Sequence, residues 1–354
     1  MKQKFDIGII GAGLSGLTLG NSLLSKKINN FILFEKDINT KSDKTYSFWS
    51  GPGLIDIKKS FSAKPKKEWS QIEIKVKGKS YKIDLGEYRY ACYSSESILG
   101  ELYKNLAKKG IQVRQGHSVK YVRKNQDGWE VKLKSKKILL KNIVDSRPNK
   151  TFDDKYPSLK QVFVGSEIIS NENIFDENVV TLMDFAESKK NVIFTYILPF
   201  SKTKALIETT FFSSEIDFKE VEKIHKLTLT KFNIKEITRT EKAVLPMSPY
   251  INRKMKNHYF RIGNFAGASR PASGYAFTRI ALWAHQIKAK KELLSSWSAN
   301  ITSKPLLVKG CIICKCQDPW GPTAPGAATQ DPTFASRPAP TAVPITRGAL
   351  IFGR

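Results

Sequence analysis

An apolar stretch, Phe5-Asp6-Ile7-Gly8-Ile9-Ile10, runs directly into Gly11-Ala12-Gly13-Leu14-Ser15-Gly16, and a second, Phe31-Ile32-Leu33-Phe34, ends on Glu35. The order reads as strand, glycine turn, helix, strand, which commits this part of the chain to a parallel α/β unit that binds a dinucleotide. In that reading Gly11 makes the sharp turn, Gly13 lets the backbone approach a pyrophosphate, and Gly16 lets the helix pack on the strands. The amides that open the helix then face the phosphates, where the helix dipole favours negative charge. Glu35 stands where a carboxylate accepts hydrogen bonds from both ribose hydroxyls.

A length of 354 residues suits two domains, since a domain takes about 100–200 residues. The formal net charge of +27 is unusual, and a basic surface suits nucleic acid, an anionic membrane or an anionic cofactor. The excess lysine is scattered through every segment, beside no helix-turn-helix, zinc-finger or aromatic RNA-binding signature, so no nucleic-acid partner is expected. Attraction to acidic lipid headgroups fits better, with a general lysine-rich bias as the plain alternative. Three of the four cysteines crowd at 311–316 and make no disulfide framework, which points to a reducing, cytoplasmic setting. Cys311, Cys314 and Cys316 lack a second matching pair and fall short of a zinc site, so no metal is expected. No apolar run reaches the length of about 18 residues that spans a bilayer, so the chain is expected to be soluble or to lie on a membrane.

Along the chain, Tyr46, Phe48 and Trp49 stand together outside any clear period, in what reads as a loop; they either pack beneath it or line a cavity. Residues 71–84 alternate about a Lys77-Gly78-Lys79 turn and predict a hairpin. Ser94 and Ser95 offer caps to a helix at about 96–109 that stops at Gly110. A second hairpin turns at Gln126-Asp127-Gly128, and Ile143 to Pro148 reads as a buried strand returning to the first sheet. From 161 to 213 strands follow one another without helices: Gln161 to Ile169, Val179 to Phe185, Asn191 to Phe200 and Ala205 to Phe211. Short connections make these antiparallel neighbours in a second sheet. A helix at about 215–232, a strand at Tyr259 to Gly263 and a helix from Gly274 to Leu294 complete the pattern. Beyond about Trp297 Pro, Ala, Thr and Gly take over, which predicts a disordered tail, either foreign to the fold or an ordinary flexible end.

The chain holds one GxGxxG and lacks a second nucleotide fingerprint or a redox cysteine pair near the first helix. That favours a single firmly held FAD, with NAD(P)H visiting only as a transient reductant. A second glycine cluster, Gly263 to Tyr275, lies after a strand and before a long helix, where its amides can meet the ribityl chain and the flavin ring, or simply make a tight turn. Gly263, Asn264, Gly267, Pro271 and Gly274 are its candidate cofactor contacts.

Over about residues 5–290 the sequence resembles the bacterial flavin-dependent lycopene cyclases, within the glutathione-reductase and aromatic-hydroxylase type of flavoprotein. The resemblance rests on Gly11 to Gly16 with Glu35, Asp43 to Trp49, Val144 to Arg147, Gln161 to Glu167 and Leu182 to Asp184. It continues through Tyr196 to Ser201, Leu206 to Thr210, Leu245 to Met247 and Pro271 to Tyr275. Most such proteins read His-Pro-Thr-Thr-Gly-Tyr at the last of these, where this chain has Arg270, Ala272 and Ser273. It implies an α/β fold with an FAD-binding Rossmann-type parallel sheet at 1–160, completed by 256–296, and an inserted antiparallel substrate sheet at 161–255; the family continues with a helical segment, which the tail at 297–354 replaces here. It further implies cyclisation of lycopene, or a related acyclic carotenoid, to β-rings without net redox change, using reduced FAD, by an enzyme peripherally attached to the cytoplasmic membrane face.

Glu208 is the residue similar to that family's proposed acid. It lies between Ala205-Leu206-Ile207 and Phe211-Phe212, where burial raises a carboxyl pKa by up to about 3–5 units; the plain alternative is a glutamate on the wet face of a sheet. Asp184, expected in the neighbouring strand, either tunes that acid and orients a water or is an ordinary strand-end aspartate. Tyr46, Phe48, Trp49, Phe194 and Tyr196 either turn ring faces toward a cation or fill the core. Two other functions remain open at this level: an FAD monooxygenase, and a flavin-binding remnant without activity.

Overall fold

The computed structural model describes residues 5–38, 44–54, 56, 61–147, 159–188, 190–247, 258–266, 268–269 and 273–286. These belong to one unit, Met1–Leu307. The expected tail at 297–354, its cysteines, and Gly267, Arg270, Pro271 and Ala272 lie outside the described residues.

The N-terminal pattern folds as its periodicity dictates. Strand β1 (Phe5–Ile10) leads through the glycine turn into helix α1 (Leu14–Ser25) and then β2 (Phe31–Phe34). Its parallel neighbours are β8 (Gln112–Arg114), beyond β2, and β11 (Lys137–Asp145) on the other side. The short strand β17 (Tyr259–Arg261) adds parallel to the second half of β11. Taken in chain order, the parallel strands run 3-2-1-4-5, the arrangement of a doubly wound nucleotide sheet. The antiparallel hairpin of β9 (Tyr121–Asn125) and β10 (Gly128–Lys132) extends the sheet along the first half of β11.

Helix α2 (Ser95–Lys108) is capped by the Ser94 hydroxyl, which accepts from the Ser97 amide at 3.1 Å, and carries Glu96 in its first turn and Lys108 in its last. It ends before Gly110, whose φ of +71° is the left-handed stop that glycine tolerates. Its buried face, Ile98, Leu99, Leu102 and Leu106, packs with α1, β1 and β2 into one core. Phe277 and Ala281 of helix α4 (Phe277–Gln286) join that core.

The second sheet runs β16 (Ile234–Pro246), β12 (Lys160–Ser170), β15 (Lys204–Ser213), β14 (Val192–Pro199), β13 (Val179–Ala186), β5 (Gln71–Val76), β6 (Lys79–Asp84). Its strands are antiparallel except where β5 pairs parallel with β13. The hairpin expected at 71–84 therefore forms, with Lys77 and Gly78 both at positive φ as a tight hairpin turn requires, but on the edge of this second sheet. The largely polar β16 had no counterpart among the strands expected from sequence. Helix α3 (Phe218–Leu229), capped by Asp217, covers one face of the sheet through Val221 against Val162, Val164, Ile193 and Phe211.

A three-stranded sheet of β3 (Thr45–Ser50), β7 (Arg89–Ser94) and β4 (Lys67–Trp69) lies between the two large ones. Residues 45–50, read as loop, are thus a strand. Both of its faces are covered, so no polar alternation betrays it. Phe48 stacks on Phe277 and Tyr46 packs against it at a tilt, with ring centroids 4.6 and 5.1 Å apart, in the nucleotide-side core. The opposite face turns to the second sheet, where Trp69 Nε1 donates to the Pro199 carbonyl at 3.1 Å.

Candidate active site

The glycine turn has the shape its sequence demands. Gly11 adopts φ +96° and donates to the Phe34 carbonyl at 2.8 Å, and a Cβ on Gly16 would run into the Gly11 carbonyl oxygen. Gly13 differs: it is exposed, no atom lies within 4 Å of where its Cβ would sit, and no side chain caps the helix it opens. Uncapped N-terminal amides beside the open space at Gly13 suit a pyrophosphate. The half-buried Glu35 carboxylate is held by three amides, those of Ala12 at 2.7 Å, Lys36 at 2.8 Å and Asp37 at 3.2 Å. It is pinned at the rim of the turn.

Two further elements close around this turn. Asp145, at the end of β11, is fully buried and receives the Arg147 amide and guanidinium and the Tyr259 hydroxyl. Burial pushes its carboxyl up, but Arg147 and Tyr259 hold it below the ordinary carboxylate range. Gly263, at φ +81°, would place a Cβ 2.8 Å from Ser15 Oγ, so the second glycine cluster starts against the first turn of α1, with Asn264 opening a 3-10 turn. Ser269 in the same cluster buries its hydroxyl without a hydrogen-bond partner among the described residues. At the far end Gly274, at φ +68°, would place a Cβ 3.0 Å from Gln161 Oε1, so this segment crosses to the second sheet and delivers Tyr275 there.

On the second sheet four residues stand side by side on one face. Register pairs Tyr196 of β14 with Glu208 of β15, Glu208 with Gly165 of β12, and Gly165 with Glu241 of β16. Directly opposed residues point to the same side. That side looks toward the three-stranded sheet, whose Tyr90 hydroxyl meets those of Tyr196 at 2.9 Å and Tyr275 at 2.6 Å. Glu208 is 7% exposed. Burial, reinforced by the negative charge of Glu241 and opposed by the hydrogen bond from Thr210 Oγ1 at 2.7 Å, raises its pKa from 4.5 to about 8. Glu208 is therefore on the dry face and protonated at neutral pH, beside buried phenols.

Asp184 does not join it. It lies on β13, with β14 between, and pairs with Thr195, which pairs with Thr209. Thr209 points to the α3 side, where its hydroxyl contacts His225 Nδ1 at 3.1 Å, so Asp184 faces away from Glu208. Among the aromatic candidates, Tyr196 borders Glu208, Trp49 meets Tyr90 edge-on at 5.0 Å, and Phe194 packs against Phe212. Tyr46 and Phe48 belong to the other core. The groups that sequence reasoning missed are Tyr90, Thr210, Glu241 and Gly165; a lone glycine inside a strand signals close approach and marked the last.

A family model described as Lycopene cyclase protein matches residues 6–301. No curated protein sequence matches the chain. Among solved structures, a geranylgeranyl bacteriochlorophyll reductase-like protein from Thermoplasma acidophilum is 13% identical, with 80% of this chain and 76% of that one covered and a TM-score of 0.62. The 2,6-dihydroxypyridine-3-hydroxylase of Arthrobacter nicotinovorans is 11% identical, covering 85% and 88%, at 0.59. CtdE, solved with FAD and a substrate, is 12% identical, covering 79% of each chain, at 0.58. At such identities the likeness shows the fold, a Rossmann-type sheet with an inserted sheet domain.

Proposed function

Because the chain belongs to the lycopene cyclase family, we propose that it cyclises the ends of lycopene, or a related acyclic carotene, to β-rings with Glu208 as the acid. The observation that carries this reading is a buried carboxyl with a pKa near 8 on the face between two sheets. Protonating a carbon–carbon double bond requires a carboxyl group that keeps its proton at neutral pH in a water-poor site. Thr210 donates to Oε1, which leaves Oε2 to carry and deliver the proton. The phenol rings of Tyr196 and Tyr275 border the acid, with Tyr90 bonded behind them, and ring faces toward a carbocation contribute roughly 0.5–2 kcal/mol each when dry. The ring closes as the cation is attacked by the next double bond, and loss of a proton restores neutrality, so nothing is oxidised or reduced overall.

Gly11, Gly13, Gly16, Glu35 and Gly263, with the orphaned Ser269 hydroxyl, fit FAD as the cofactor of this site. Bound there in reduced form, with NAD(P)H as its reductant, the flavin would supply an electron-rich ring that favours positive charge nearby. The carotene is too apolar to leave the lipid, so the enzyme works at the cytoplasmic membrane face, where its lysine excess favours acidic headgroups. Among the described residues no helix is long and apolar enough to cross a membrane.

The test is expression in a lycopene-accumulating bacterium with separation of the pigments. Wild type should yield cyclic carotenes without stoichiometric NAD(P)H use. Glu208→Gln should leave lycopene in place while retaining flavin. Cyclic product from that variant removes Glu208 from the role, and sustained NAD(P)H consumption with oxygenated product would make the chain a monooxygenase.

A further inference from the structure

We propose that Glu241 is a positioning residue for the acid: with Glu208 it forms a paired carboxyl site across Gly165, in which Glu241, clamped by Arg239, stays ionised and keeps Glu208 the protonated member. This rests on the reading of Glu208 as the acid and adds the residue that regulates it.

The geometry is a matter of register. Glu208 and Glu241 sit on strands that flank β12, and both are opposed to the same residue, Gly165. Any side chain there would stand between them; a Cβ on Gly165 would lie 3.4 Å from Glu208 Cβ and 3.5 Å from Glu241 Cγ. The glycine leaves no β12 side chain between the two carboxyl groups on this covered face. Their surroundings differ. Glu208 faces Thr210 from its own strand, Tyr196 from β14, and Tyr275 from the segment before α4, with Tyr90 of β7 bonded behind the tyrosines. None of these carries a positive charge. Glu241 faces Arg239, whose Nη1 lies 2.6 Å from its Oε2, and Thr45, whose hydroxyl lies 3.4 Å from the same oxygen and receives Arg239 Nη2 at 2.8 Å. One row farther on, Glu167 of β12 meets Lys66, Lys204 of β15 and Arg239 of β16; Cys92 is buried nearby.

Two carboxyls in such a compartment do not ionise independently, and the first proton to leave comes from the member with the cation. The second is then held against the charge the first has left. Burial leaves Glu241 above the ordinary carboxylate range as well, but Arg239 and Thr45 offset part of that push, whereas Glu208 has only Thr210 to do so and is pushed to about 8.

The experiment is the pH profile of cyclisation in Glu241→Gln and Glu241→Asp, with flavin content and KM measured alongside. Loss of the charge in Glu241→Gln should move the alkaline limb down by about one pH unit, which is about a tenfold lower kcat on that side, and Glu241→Asp should bring the limb back. A merely structural role would lower the rate equally at every pH, and that result, or an unmoved limb, overturns the proposal. If Glu241→Gln does not fold, infrared absorption of protonated carboxyls in the wild type and in Glu208→Gln decides. Two separate steps with pH in the wild type and one step at lower pH in Glu208→Gln support the pair, whereas one step in the wild type overturns it. Cyclisation by Glu208→Gln would instead sink the assignment of the acid itself.

Discussion

Replacing Glu208 by Gln should change how the stability of the protein depends on pH, apart from any effect on catalysis. The carboxyl titrates at about 8 in the folded chain against 4.5 ordinarily. A group whose pKa is raised by folding contributes stability that is complete below its unfolded pKa and is lost as pH rises through the folded one. Each pH unit of that difference amounts to about 1.4 kcal/mol, so between about pH 5 and about pH 9 the wild-type chain should lose on the order of 4 kcal/mol that Glu208→Gln retains. Glu241 shares the titration, which makes this figure a ceiling. His225 complicates the raw curves, because burial lowers its pKa to about 4 and its contribution runs the other way, gained as pH rises toward 6.5. It is common to both proteins and drops out of the difference. Urea unfolding followed by tryptophan fluorescence, at several pH values in both proteins, gives that difference directly. Curves that stay parallel across the range would mean that Glu208 ionises freely in the fold, and the argument for a protonated acid would fail with them.

Gly13→Ala should leave stability within about 0.5 kcal/mol of wild type, because its methyl meets no protein atom, yet lower the flavin retained on purification, read from the flavin absorbance per chain. Undiminished flavin would take Gly13 out of the cradle. Arg147→Ala strands the buried Asp145 carboxylate and should cost about 3 kcal/mol in the same urea assay, the low end for a broken buried pair because Arg147 is itself 36% exposed. A loss under about 1 kcal/mol would mean that Asp145 finds other partners.

What the sequence made legible was local chemistry. The Ser94 cap, the Gly110 stop, the Lys77-Gly78 turn and the Gly11 to Gly16 fingerprint each fix a backbone conformation through the residues beside them, and the structure has them where expected. Faces were harder to read. Whether Asp184 and Glu208 share a side depends on strand order and on a register shift between Thr181 and Asp184, neither of which is written in the spacing of apolar residues. Glu241 escaped notice because β16 is an edge strand of mostly polar residues, where charge blunts further pairing and masks the alternation. The acid itself looked like a solvated strand residue until a third layer of strands was laid over it.

That hairpin on the far edge of the second sheet has a consequence for assembly. Gln71 pairs with Val179, more than 100 residues later, so the sheet that carries Glu208 takes its last two strands from a stretch synthesised before most of the nucleotide sheet is complete. Closing so long a loop is slow relative to local steps, and until it closes β13 offers its bare edge to any other chain nearby. An excised fragment of residues 159–247 would keep that edge permanently and should self-associate, so the buried setting of the acid is a property of the intertwined chain and cannot be cut out of it.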